Sequence, residues 1–418
     1  MTLVLKSALI IDPSSPHNGK RADLLLENGT IKTIGKDLEG ERTVESGNLC
    51  VSPGWLDLQA DFCDPGNEHK ETIESGAAAA AAGGFTGVLL MPSTQPPVHG
   101  KSEVEYILRK AQDLAVDVYP AGALSHGLEG KDMAELYDMH MAGARAFTEG
   151  RKGYTSAGLL VRSLMYTKNF GGRVMARCEE RSLAPDGKMN EGPVSTMLGL
   201  KGIPNMAEEL VTARNISLAE YAEAPLHFMS VSTARSVELI REAKKRGLPL
   251  SASVNAVNLY WEDKALEDFD TNYKVNPPLH SRADIEALIA GLADGTIDAV
   301  TSDHTPEDPE SKVVEFDLAS FGIIGLETSF ALTRSAAPKL AVEKLVEVFA
   351  LRPRKLLGLE TSAIKENAPA NLTIFDPDLE WTFTEKDIRS LSRNTPAVGM
   401  KLKGRALGIV NKGKIVLA

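Results

Sequence analysis

A chain of 418 residues exceeds a single small domain and suits one large barrel of roughly 250–350 residues with a smaller appendage. Its 43% hydrophobic and 25% charged residues are ordinary for a globular protein, and no run of about 18 apolar residues offers a membrane-spanning helix. A net charge of -11 disfavours nucleic acid and anionic membrane, which both select basic surfaces.

The N-terminus alternates like a strand from Leu3 to Ile11 and does not read as a signal peptide, so a cytoplasmic location is expected. Three cysteines, Cys50, Cys63 and Cys178, are odd in number and without CxxC spacing, which argues against a disulfide framework or a structural zinc. Further strands are predicted at Ala22–Glu27, Thr30–Ile34 and Thr43–Val51, with Asn28-Gly29 as a hairpin turn. The chain ends in the same manner, with Ala370–Phe375 and then Gly408–Leu417, broken by Asn411-Lys412-Gly413. The expectation is a composite β-domain built from residues 1–51 and 365–418, flanking a barrel over 52–364.

Strand and helix alternate through that middle section. Strands are predicted at Trp55–Phe62, Thr86–Met91, Asp117–Ala123, Ala142–Thr148, Gly172–Cys178, Leu226–Val231, Leu248–Val254 and Ala299–Thr301. Amphipathic or alanine-rich helices lie at Glu71–Ala82, Glu103–Leu114, Ala234–Arg246 and Ser281–Asp294. Eight strands in this alternation favour a (β/α)8 TIM barrel of the α/β class. Chemistry in such a barrel sits where strands end. Those positions carry Asp57, Gln59, Asp61 and Cys63, then Ser93, Glu149, Arg177, Ser230, Asn258 and Asp303-His304.

Several longer segments sharpen this polar rim. Pro53-Gly54-Trp55-Leu56-Asp57-Leu58, Pro65-Gly66-Asn67-Glu68-His69-Lys70-Glu71-Thr72-Ile73 and Asn272-Tyr273-Lys274-Val275-Asn276-Pro277-Pro278-Leu279 resemble dihydroorotases of the amidohydrolase superfamily. Asp303-His304-Thr305-Pro306, Phe321-Gly322-Ile323-Ile324-Gly325-Leu326-Glu327-Thr328 and Arg393-Asn394-Thr395-Pro396 follow in the same family order. The resemblance implies a zinc-dependent hydrolase of a cyclic amide, the metal polarising the amide and generating hydroxide.

This sequence departs from the family at the metal. The Asp-x-His-x-His-x-Arg segment reads Asp57-Leu58-Gln59-Ala60-Asp61-Phe62-Cys63, so both histidines and the substrate-gripping arginine are replaced. His-Cys-Glu becomes Arg177-Cys178-Glu179, and His-Val-Ser becomes Ser230-Val231-Ser232. Glu149 stands near the family's fourth-strand ligand. Asp303, at the general-base position, survives, followed by His304, while Glu307 replaces a second histidine. Asn276, Ser93, Cys63 and Gly322 are the positions left from substrate binding.

An arginine carries no lone pair for a metal. Arg177 is therefore expected to fill the metal's volume and to neutralise Asp303, with Asp61 and Asp57 as further partners. No cofactor is expected. The resemblance further implies a non-catalytic homologue serving as an assembly partner of aspartate transcarbamoylase in pyrimidine biosynthesis, and a homodimer. Two alternatives stand beside it: an active dihydroorotase binding zinc through Asp57, Asp61, Glu149 and Asp303, and a metal-independent hydrolase of another cyclic amide.

Overall fold

A computed structural model describes residues 2–153 and 156–418. Eight parallel strands run in chain order around a barrel: Trp55–Ala60, Phe85–Leu90, Asp117–Ala123, Ala146–Thr148, Val174–Arg177, Leu226–Met229, Leu250–Asn255 and Ala299–Thr301. The eighth returns to the first through one backbone bridge, Ala60 to His304, where Asp61 N–H donates to the His304 carbonyl at 2.8 Å. Below that rung a side chain replaces backbone pairing. The Asp57 carboxylate, fully buried, accepts from Ser302 N–H at 2.9 Å and from the Ser302 hydroxyl.

The strands form where predicted except at the fourth. Residues Leu136–Ala142 are helix, stopped by Gly143 at φ +120°, a conformation that L side chains rarely adopt, and the strand begins only at Ala146. The first helix runs Ile73–Ala82 behind a capping box in which Thr72 accepts from Ser75 N–H. Ser281 caps Arg282–Asp294 in the same way, through Asp284 N–H.

Both termini build a second sheet. Its strands lie in the order Lys414–Leu417, Lys401–Asn411, Leu372–Thr382, Cys50–Pro53, Thr2–Ile10, Arg21–Glu27 and Thr30–Gly35, with Arg42–Val44 also beside Thr2–Ile10. Leu372–Thr382 runs well past the expected Phe375, because Asp376-Pro377-Asp378 is absorbed as an irregularity in the pairing with Lys401–Asn411. No helix among the described residues is long and apolar enough to cross a membrane.

Gly54 joins the two sheets. A Cβ there would lie 2.0 Å from both Asn371 Oδ1 and Thr86 Oγ1, and the Gly54 carbonyl accepts from Arg354 Nε at 2.7 Å. Next to it Trp55 packs on Phe330, Phe349 and Phe375, with centroids 4.6, 5.3 and 5.1 Å away, tying the barrel to the terminal sheet. Gly54→Ala is expected to cost about 2 kcal/mol by overpacking this junction, read as a lower urea midpoint with an unchanged slope.

Candidate active site at the barrel mouth

The first strand delivers its polar residues through a break in regularity. Leu56 and Leu58 pack inside the barrel with Leu89, Ala121, Met175 and Met229. Strict alternation would then turn Gln59 outward. The pairing with the second strand shifts between Asp57 and Ala60, however, and this extra residue swings Gln59 and Asp61 toward the barrel axis. Asp57 faces the seam instead.

Gln59 reaches across the mouth. Its Oε1 accepts from Ser230 Oγ at 2.9 Å, and its Nε2 donates to Asp303 Oδ1. The same oxygen accepts from Arg151 Nη2 at 2.8 Å, while Arg151 Nε donates to Asp61 Oδ2 at 3.0 Å. Asn255, last residue of the seventh strand, donates to Asp303 Oδ2 at 3.0 Å. Residues at or just beyond the ends of strands one, four and seven thus converge on the one carboxylate of strand eight, with Ser230 of strand six bracing Gln59. Desolvation alone would lower the pKa of Arg151, but Asp303 and Asp61 reverse that and raise it, so it stays a cation.

The arginine that pairs with Asp303 is therefore Arg151 and not Arg177. Arg177 is 3% exposed, and its nearest carboxylate is Glu179, with Nε 3.8 Å from Oε2. Among the described residues its Nε finds no hydrogen-bond acceptor, and burial pushes its pKa down, with Glu179 opposing. Glu179 is also held by Asn276, whose Nδ2 lies 3.3 and 3.2 Å from its two oxygens. Asp57 needs neither arginine, because Ser302 satisfies it; burial nonetheless pushes its pKa up to about 7.

Other sequence-predicted residues are engaged elsewhere. Glu149 is buried and accepts from Ser125 N–H at 2.7 Å and Ser125 Oγ at 2.8 Å. His304 Nδ1 accepts from Gly325 N–H at 3.2 Å and its Nε2 lies 3.3 Å from Glu71 Oε2, so the imidazole braces the loops rather than the mouth. Glu307 pairs with Lys70 at 2.6 Å. Asn258 donates to the Pro278 carbonyl at 2.8 Å. Gly322 donates to the Lys274 carbonyl at 3.0 Å, and a Cβ there would lie 2.9 Å from the Thr305 carbonyl oxygen. Burial holds the Cys63 thiol well above its ordinary pKa, hence protonated. Exposed Ser93 lies over Gly150, whose φ of +57° and missing Cβ, which would approach Ser93 Oγ to 2.8 Å, let the turn Gly150–Lys152 carry Arg151 inward.

Zinc requires three or four lone-pair donors at about 2 Å. Here the Asp303 oxygens face three N–H donors, Gln59 turns its amide hydrogens toward them, and a guanidinium lies between Asp303 and Asp61. Among the described residues no three His, Cys, Asp or Glu side chains are placed to hold a metal. The residues present do not fit the ion. What they form is a cross-linked polar plug in which each acid is matched by a donor.

Arg151 and Asn255 were the functional positions missing from the sequence reading. Arg151 lies two residues past Glu149 in Gly150-Arg151-Lys152, which looks like a solvated basic turn. Its one signal was Gly150 directly after a strand-end acid.

Comparison with known proteins places this arrangement. A family model described as dihydro-orotase-like matches residues 47–236, and one described as amidohydrolase family matches 202–416. A dihydroorotase from Geobacter sp. (strain M21) is 41% identical over 100% of this chain and 99% of its own length. One from Acetivibrio thermocellus is 42% identical over 99% of each chain. Among solved structures, an L-hydantoinase (dihydropyrimidinase) from Arthrobacter aurescens superposes with a TM-score of 0.84 at 25% identity, covering 99% of this chain and 96% of its own. Fold, full-length similarity and the order of the strand-end motifs agree: the chain belongs to the dihydroorotase family.

Proposed function

We propose that this protein is a non-catalytic dihydroorotase homologue of pyrimidine biosynthesis, without a catalytic zinc, that acts in the cytoplasm as an assembly partner of aspartate transcarbamoylase. The observation that carries the reading is the state of Asp303. A general base on a zinc needs free lone pairs, and here Gln59, Arg151 and Asn255 donate into them. Arg177, at a ligand position, adds a second buried cation at the mouth, which opposes any divalent ion. A fold kept whole while its metal ligands are exchanged for an arginine and for polar groups bonded around Asp303 suits a scaffold better than a hydrolase. A homodimer is part of the proposal.

A second reading is favoured by the name dihydroorotase carried by relatives 41% identical across the whole chain. It would place zinc on Asp57, Asp61, Glu149 and Asp303. Ser302 on Asp57, Ser125 on Glu149 and Arg151 on Asp61 count against it, since each bond must break before a ligand forms.

Metal analysis of the purified protein combined with a dihydroorotate ring-opening assay separates the two. Zinc far below one equivalent and no turnover above background are the expected results, also after zinc is added to excess. Near-stoichiometric zinc with turnover would defeat the proposal. Its partner half is tested by co-expression with aspartate transcarbamoylase, where a stable complex on gel filtration is expected and separate elution would refute it.

A further inference from the structure

The opposite end of the barrel holds an open pocket of about 370 Å3, within the span of small-molecule sites. It lies where strands five to eight begin, at Val174, Leu226, Leu250 and, just ahead of the eighth, Asp298, with the helix Arg352–Leu356 along one side. In barrels of this kind chemistry sits at the other end, and this end serves stability. A pocket here with its own charge pattern therefore calls for a separate explanation.

The charge is positive in a chain of net -11. Arg173, Arg352 and Lys355 line the pocket, against the single carboxylate of Asp298. That carboxylate is already engaged by Lys244 and by Ala252 N–H at 2.9 Å. Arg352 lies 3.7 Å from Asp298 and 3.1 Å from Glu347, which also holds Lys344 at 2.7 Å. Two carboxylates thus serve three cations before Arg173 and Lys355 are considered. Arg173 donates through Nε to the Leu356 carbonyl at 3.0 Å, and among the described residues neither it nor Lys355 meets an acid. Cations left over around a concave surface attract an anion.

The remaining surface is not ionic. Pro225, Leu226, Pro249 and Leu250 give apolar walls. His227 at the floor is buried, with Nδ1 2.9 Å from Ser251 Oγ and Nε2 3.1 Å from Ser253 Oγ, and burial pushes its pKa down to about 3. The floor is thus a neutral hydrogen-bonding surface and not a fourth cation.

We propose that this pocket binds a small phosphate ester with a flat apolar body, of the nucleoside monophosphate class. The phosphate sits at the lip among Arg173, Arg352 and Lys355, and the body lies along the proline and leucine walls toward Ser251. Guanidinium forks match phosphate oxygens in pairs, and a monoester carries nearly two charges at neutral pH. The site is independent of whether the mouth is catalytic.

Isothermal titration of the full-length protein with uridine 5′-monophosphate, adenosine 5′-monophosphate, uridine and inorganic phosphate tests this. Either nucleotide is expected to bind saturably, with uridine and phosphate each weaker by about tenfold or more. Lys355 is exposed, so Lys355→Glu keeps the fold and should weaken the nucleotide by about tenfold, as should Arg173→Ala. Lys365→Glu, an exposed lysine outside the pocket, should leave binding unchanged. The proposal is overturned if neither nucleotide saturates, if inorganic phosphate binds as tightly as the nucleotides, or if Lys355→Glu and Arg173→Ala both bind like the parent.

Discussion

Arg151→Met is expected to destabilise the protein by about 3 kcal/mol at pH 7, the scale for leaving a buried charge unpaired. Methionine keeps the length and apolar contacts of the stem but removes the fork that joins Asp61 to Asp303. The Asp303 and Asp61 side chains are 2% and 11% exposed, so water cannot replace the lost donors well. Asp303 would keep only the amides of Gln59 and Asn255 while Asp61 loses its arginine, and two such neighbouring carboxylates resist double ionisation. A raised carboxyl pKa in the folded variant has a definite sign. The folded state then binds a proton that the unfolded chain, with aspartate near 3.9, does not hold until lower pH. The variant should therefore recover part of its deficit as pH falls from 7 toward 4. Urea unfolding at several pH values measures this, and Asp303→Asn in the Arg151→Met background should also restore stability. A deficit near zero at pH 7, flat with pH, would mean that Arg151 lies in solvent.

Acid should expose a second buried group. His227 lies in the interior of the sixth strand between two serine hydroxyls, and burial pushes its pKa down to about 3. An unfolded histidine titrates near 6.5. The folded state thus refuses a proton that the unfolded state accepts, and stability present above about pH 6.5 drains as pH falls toward 3. By pH 4.5 the loss from this one group is on the order of 2–3 kcal/mol. Asp57, pushed up to about 7, works in the opposite direction over an overlapping range, so the raw pH profile mixes the two. The clean quantity is the difference between the parent and His227→Gln, whose amide can still reach the serines. That difference should shift in favour of the variant by the stated amount between pH 7 and 4.5. Parallel profiles would show that His227 is hydrated.

Much of the architecture was legible because it rests on local pattern. Alternating apolar residues and helical periodicity are written within a few residues of where they act, whereas Thr72 and Ser281, placed inside helices by pattern alone, are in fact their caps. The terminal strand Leu372–Thr382 extends beyond the expected Phe375 because its pairing with Lys401–Asn411 absorbs Asp376-Pro377-Asp378 as an irregularity, which only the partner strand reveals. The site divides in the same way. Loss of imidazoles at Gln59, Asp61, Arg177 and Ser230 is visible in the letters alone. Which arginine meets Asp303 is not, because the answer depends on the direction of a three-residue turn at Gly150 and on a strand irregularity between Asp57 and Ala60. Arg177 holds the ligand's position in sequence; Arg151, from a loop, holds its position in space.

The single backbone rung between Ala60 and His304 has a consequence for how the protein behaves among its neighbours. Trp55–Ala60 and Ala299–Thr301 are buried in the folded chain, but a cylinder closed by one rung becomes an open sheet with two edges once loosened, and exposed edges recruit strands from other chains. Asp57 on Ser302 and Arg151 across Asp61 and Asp303 fasten those edges from the side. The ionic plug at the mouth is thereby expected to slow aggregation. It keeps two strand edges occupied with each other, in a cell where a loosened barrel would find partners of its own kind.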